Sequence, residues 1–229
     1  MKILLIAGHG DGDSGAIGNG YEEANLTREF AELLCGKLES VCEVELADIK
    51  RNWFNYLENN NYVFSQYNYV LEIHFNAGGG TGTEIYVTTS EERITVEEAM
   101  LKNICNSVKY YNRGVKRKNF RVISKVKSQG VSSALLEVCF IDNCTDVETY
   151  QRCKNVIADS VVSGIVEGFG LPYEDDNNAD DCNLKNRCDT QLTEDVRTCC
   201  QDTSSRMLKL RMWICTLLGN ALKRFKDEE

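Results

Sequence analysis

The sequence predicts an α/β domain: a twisted, mostly parallel sheet of about six strands packed by helices, with a small α-helical appendage at the C-terminus. Three observations carry this. Short apolar runs alternate with segments at helical spacing, as parallel strands with helical crossovers require. The chain has 229 residues, 42% hydrophobic and 27% charged, enough for one sizeable globular domain and a small addition. Its only two histidines, His9 and His74, each close an apolar run. Open α/β sheets bind ligands beyond the carboxyl ends of their strands.

The strand signals are KILLIAG from Lys2, CEVELADI from Cys42, NYVLEIHF from Asn68, TEIYVTT from Thr83, NFRVISKV from Asn119 and ALLEVCFI from Ala134. Between the first two, Leu26, Phe30, Leu33, Leu34 and Leu38 recur at helical spacing. Arg51 to Asn68 gives no clear second helix. Leu101, Ile104, Cys105 and Val108 mark another, opened by a Thr95–Glu98 capping box with an Ile94–Ala99 staple. A last helix is expected from Thr145, with Glu148 as box partner and Tyr150, Cys153, Ile157, Val161 and Ile165 on one stripe. Gly168, Gly170 and the only proline, Pro172, end it.

Residues 1–172 therefore form the expected main domain. Residues 173–202 read as an acidic linker and 203–229 as a basic amphipathic helix for targeting or self-association. Thirty-five acids against 26 bases give a net charge of −9, which argues against nucleic acid as a partner, since neutralising phosphates needs clustered bases. No run approaches the roughly 18 apolar residues of a membrane span. No signal peptide is recognised at the N-terminus, so the chain is expected to be made in the cytoplasm, with reduced thiols. The stretch 113–127 holds seven bases and no acid. It reads by default as a solvated loop and edge strand, and functionally as a rim for an anionic ligand.

Two imidazoles at strand ends with a carboxylate nearby are what a catalytic zinc site requires, with one position left open for water. His9 lies in GHGDGDSGAIGNG and His74 in EIHFNAGGGTG. Glu23 continues the Leu26–Phe30 face, whereas Glu22 is turned about 100° away. Glu23 is the better ligand. Glu137 sits in an apolar strand, where burial raises a carboxyl pKa toward the range useful for proton transfer. Asn76 is a candidate donor to substrate. Glu72, on the face of His74, is either a partner to it or a strand-edge acid. Taken singly, a strand-end histidine is more often a hydrogen-bonded core residue; jointly these groups point to a metal. Gly8, Gly10 and Gly12 miss the dinucleotide spacing, and AGGGTG lacks the lysine of a P-loop.

GHGDGDSGAIGNGYEE, EIHFNAGGGTGTEIYV, RGVKRKNFRVI and ALLEVCFID, in that order, resemble the zinc N-acetylmuramoyl-L-alanine amidases of the amidase-3 family over about residues 1–171. The resemblance implies zinc held by His9, Glu23 and His74, with Glu137 as the catalytic carboxylate. It also implies peptidoglycan as substrate, cut between the lactyl group of muramic acid and the first L-alanine of the stem peptide. Phage endolysins and bacterial autolysins belong to this family. An endolysin acting on the wall after release is the expected setting, with an autolysin of the same chemistry or a non-catalytic wall-binding module as alternatives. Glu72 departs from the Ser or Thr common at its position, and nothing after Pro172 resembles a cell-wall repeat.

Overall fold

The computed structural model describes residues 1–172. The segments 173–202 and 203–229, and with them any self-association through the basic helix, lie outside the described residues. The elements are β1 (Lys2–Ala7), β2 (Ile17–Gly18), β3 (Tyr21–Glu22), α1 (Glu23–Leu38), β4 (Glu43–Leu46), α2 (Trp53–Asn59), β5 (Tyr69–Asn76), β6 (Thr83–Val87), α3 (Thr95–Val108), β7 (Asn112–Arg117), α4 (Arg121–Lys127), β8 (Ser132–Phe140) and α5 (Cys144–Phe169). Six strands form one sheet in the order β4-β1-β5-β8-β6-β7, and β2 and β3 form a small hairpin. β4, β1, β5 and β8 run parallel; β6 is antiparallel to β8 and parallel to β7. The sheet is therefore mostly parallel, as expected.

Alternate residues of a strand face opposite sides, and both sides are covered. Leu4 and Ile6 of β1 and Val70 of β5 join Trp53 and Leu57 of α2 and Val122 and Val126 of α4 in one apolar cluster. On the opposite side, Tyr69 meets Phe169 and Phe75 meets Tyr150, with ring centroids 5.3 and 4.9 Å apart. Phe30 of α1 packs on the same Tyr150. The two short helices cover only part of their face. The carboxyl ends of β5 and β8 lie beyond them, and there the strands carry polar residues.

Three local expectations are corrected. NFRVISKV is not a strand: Val122, Ile123 and Val126 are buried at helical spacing in α4, and the edge strand is the preceding β7. No capping box opens α3, because Thr95 already lies inside the helix and Ile94 occupies the cap without a side-chain bond. In α5 the cap is Asn143, which accepts from the Asp146 N–H. The stripe on α5 is buried throughout from Tyr150 to Ile165, and Gly170 ends the helix at φ 64°. A second helix, α2, occupies part of the region that gave no clear pattern. Cys35, Cys42, Cys105, Cys139 and Cys144 are free. Among the described residues no helix is long and apolar enough to cross a membrane.

α3 and α5 approach closely because two positions lack a side chain. A Cβ on Gly164 would lie 2.5 Å from Met100 Cα, and one on Gly168 2.5 Å from Val96 Cα. Backbone cannot yield as a flexible side chain does, so Gly164→Ala forces the helices apart. The expected cost is about 2 kcal/mol, read as a lower urea midpoint with unchanged slope. An unshifted midpoint would show that this contact is loose.

Candidate metal centre

The site begins at the loop after β1. His9 holds φ 64° and Asp11 φ 49°, left-handed values that non-glycine residues adopt at a cost. α1 supplies the restraint. Thr27 Oγ1 donates to the Gly8 carbonyl at 2.9 Å, and Arg28 donates to the carbonyls of Gly8 and His9 at 3.2 and 3.0 Å. Gly10 holds φ 106°, a backbone conformation that residues with a side chain rarely adopt, so this turn needs glycine. Asp13 Oδ2 lies 2.9 Å from His9 Nδ1 and accepts from Asn52 Nδ2 at 3.0 Å. Asn52 also caps α2 through the Asn55 N–H.

Glu23 is the first residue of α1 and is buried, while Glu22 beside it is exposed. Its Oε2 lies 3.1 Å from His9 Nε2 and its Oε1 2.9 Å from His74 Nδ1. The backbone N–H groups of Ala16 and Phe75 donate to the same two oxygens. Burial pushes the Glu23 carboxyl up, but the hydrogen bonds from His74 and His9 outweigh it and hold the group well below the usual carboxylate range. Burial pushes His74 down, and the bonds to Glu23 and Glu72 overturn that and raise it well above an ordinary imidazole. His9 shows the same balance, raised by Glu23 and Asp13 against burial. One donor atom from each of His9, Glu23 and His74 lies within 4.8 Å of the others. Two imidazole nitrogens and one carboxylate oxygen at this spacing suit zinc with a fourth position open.

A polar row crosses the sheet beside this cluster. His74 pairs in register with Glu137 of β8, which pairs with Glu84 of β6. The three side chains therefore share one face. Glu84 is 1% exposed and accepts from Asn76 Nδ2, the Tyr86 hydroxyl, Arg113 Nε and Lys116 Nζ. Glu137 differs: its Oε2 is buried with no hydrogen-bond partner among the described residues. Burial, helped by the carboxylates of Glu23, Glu84 and Glu72 and opposed by His74, pushes its pKa up to about 7. His9, Glu23, His74, Asn76 and Glu137 all line one cleft of about 400 Å³, whose other wall includes Phe54 and Arg121.

The N-acetylmuramoyl-L-alanine amidase family model matches residues 3–167. The chain belongs to this family. It is 31% identical over 180 residues to the N-acetylmuramoyl-L-alanine amidase CwlM of Bacillus licheniformis, covering 75% of this chain and 70% of that protein. It is 29% identical over 179 residues to the sporulation-specific N-acetylmuramoyl-L-alanine amidase of Bacillus subtilis, covering 75% and 69%. Among solved structures, the amidase AmiC2 of Nostoc punctiforme shares the fold with a TM-score of 0.62, at 20% identity over 74% of this chain and 97% of that one.

All five residues singled out in the sequence of this amidase-family chain thus meet at one cleft. Asn76 lines it, but its amide is engaged internally, donating to Glu84 and accepting from the Ala77 N–H. Four supporting residues were missed: Asp13, Arg28, Asn52 and Glu84. Each acts through a partner distant in sequence or on a neighbouring loop, where periodicity gives no signal. Of the seven bases in 113–127, Arg113 and Lys116 serve Glu84, and Lys127 pairs with the buried Glu91. Arg117 donates to the carbonyls of Thr88 and Glu91 and Arg121 pairs with Glu58, so the default expectation of a solvated basic stretch is corrected for five of the seven.

Burial pushes the Glu84 carboxyl up, and the bonds from Lys116 and Arg113 overturn that and lower it. A depressed folded pKa contributes stability above the unfolded value of 4.5, and this is lost as pH falls toward the folded value. Glu84→Gln should cost about 2 kcal/mol at pH 7 and should flatten the fall in unfolding free energy below about pH 5. Parallel acid profiles for the two proteins would show that Glu84 is not held this way.

Proposed function

We propose that the chain is a zinc-dependent peptidoglycan amidase. On this reading it cleaves the amide between the lactyl group of N-acetylmuramic acid and the first L-alanine of the stem peptide. The observation that carries the proposal is the convergence of His9, Glu23 and His74 on one point, beside the half-buried Glu137, whose Oε2 is buried with no partner among the described residues. Membership of the amidase family supports the substrate.

His9 Nε2, Glu23 and His74 Nδ1 would hold the zinc. A bound zinc there supplies Lewis-acid polarisation of a carbonyl and a lowered pKa for water. The protein's own part lies with Glu137. Its carboxylate takes a proton from the attacking water and delivers one to the departing alanine nitrogen, work suited to a group whose pKa is near neutrality. The apolar surround of β8 keeps bulk water from competing for that oxygen. Asn76 and Glu84 fix the floor beside it. Arg121 lies 3.8 Å over the Phe54 ring at the cleft edge, paired with Glu58 at 3.2 Å, and is the cation there that an acidic stem peptide would meet.

The test is lysis of purified Gram-positive walls, followed by identification of the new amino termini. New N-terminal alanine is expected. Glu137→Gln should reduce turnover by at least about 10²-fold while keeping one zinc per chain; retained turnover would remove Glu137 from the reaction. His74→Ala should lose both metal and activity, and a fully metallated, active variant would refute the ligand set. Arg121→Glu should raise KM for walls with little change in kcat, and an unchanged KM would take Arg121 out of substrate binding.

A further inference from the structure

Glu72 is the one buried acid at the cleft to which the reaction above gives no work. It sits on the central strand β5, two residues before His74, so both side chains rise from the same face. It is 4% exposed. Its Oε1 lies 3.1 Å from His74 Nε2, while Oε2 is buried with no partner among the described residues. A lone buried carboxylate oxygen costs stability, so packing alone does not account for a glutamate here.

The geometry points to Glu72 as the positioning residue of the His74 ligand: by accepting the Nε2–H it fixes the tautomer and ring orientation that present the Nδ1 lone pair to the metal. This rests on the metal centre proposed above. The His74 ring is spanned between two carboxylates, Glu72 at Nε2 and Glu23 at Nδ1. Nδ1 is the nitrogen that lies against Glu23, 2.9 Å from its Oε1. The ring also lies on the backbone of Gly8, where a Cβ would sit 2.3–2.7 Å from Cε1, Nε2 and Nδ1. Gly8 leaves room for the ring but offers it no side chain, so orientation is left to the polar contact at Nε2. His9 is arranged in the opposite sense, with Nδ1 held by Asp13 and Nε2 directed at Glu23. The two imidazoles thus offer different nitrogens, and each has a carboxylate on the nitrogen turned away. Such partners raise ligand basicity and set metal affinity.

The experiment compares wild type, Glu72→Gln and Glu72→Leu. The readouts are zinc affinity by chelator competition, stability of the zinc-free proteins, and the His74 tautomer by ¹⁵N NMR. Glu72→Leu removes the acceptor at similar volume. It should weaken zinc binding by about 10–100-fold without loss of zinc-free stability, and the His74 Nε2–H signal should shift as its hydrogen bond is lost. Glu72→Gln keeps an acceptor oxygen in place and should retain the Nε2–H tautomer with a smaller loss of affinity. Wild-type zinc affinity in Glu72→Leu overturns the assignment while the metal centre stands. Equal loss of zinc affinity and of zinc-free stability in both variants shows a general structural role and also overturns it. A wild-type protein that binds no zinc overturns the metal centre and this assignment together.

Discussion

The carboxylate of Glu23 is the point where the upper end of the domain is tied together. It is the first residue of α1, yet its two oxygens reach the loop after β1 and the carboxyl end of β5, taking both imidazoles and two backbone N–H groups. The two rings lie 4.9 Å apart between centroids, and both are raised toward the charged form. Two such groups repel, and the anion between them offsets this. The unfavourable backbone of His9 depends on the same helix. Thr27 and Arg28, one turn on from Glu23, hold the carbonyls of Gly8 and His9. One helical turn thus supplies both the carboxylate and the restraint that keeps its partner in place.

A sheet covered on both sides is an unfavourable place for acids, and this one buries Glu72 and Glu84 and half-buries Glu137. They are tolerated in different ways. Glu84 has a full set of donors from β5, β6 and β7 and works as a structural anchor. Glu72 and Glu137 each leave one oxygen without a partner among the described residues. Unmet hydrogen-bonding capacity next to a cleft reflects binding or proton transfer more than folding. The distinction separates Glu84, an anchor of the sheet, from the two acids whose proposed roles lie at the cleft.

Much of this was legible in the sequence, because the informative signals were local. Strand ends located His9 and His74, helix phase separated Glu23 from Glu22, and an apolar frame exposed Glu137. Local pattern failed where two periods fit the same residues. NFRVISKV is rich in β-branched residues and reads as a strand, although Val122 and Val126, four apart, equally satisfy a helix. It failed again at caps, where Thr95 and Asn143 compete on chemistry and only the path of the chain decides. It was blind to Arg28, Asn52 and Glu84. Their partners lie 19, 39 and 29 positions away, and no spacing rule connects them.

The run AGGGTG after β5 shows how composition can suggest one chemistry and structure supply another. Its glycines do not turn their N–H groups outward to an anion. Gly78 and Gly79 donate to Asp142 Oδ2, and Gly82 donates to Asp146, whose carboxylate also accepts from Thr81 Oγ1 and the Phe140 N–H. Gly80 leaves space for the Phe140 ring, which a Cβ would meet at 2.4 Å. Two aspartates from the β8–α5 junction therefore act as the anions for this loop and fasten it to the end of β8. Asn76, at the end of β5, is locked in the same region by Glu84 and the Ala77 N–H. Because the loop is bound on its far side, the ends of β5 and β8 cannot separate independently. The spacing of His74 and Glu137 is set by their pairing in register on these two strands, and the loop fastens the strand ends beyond them.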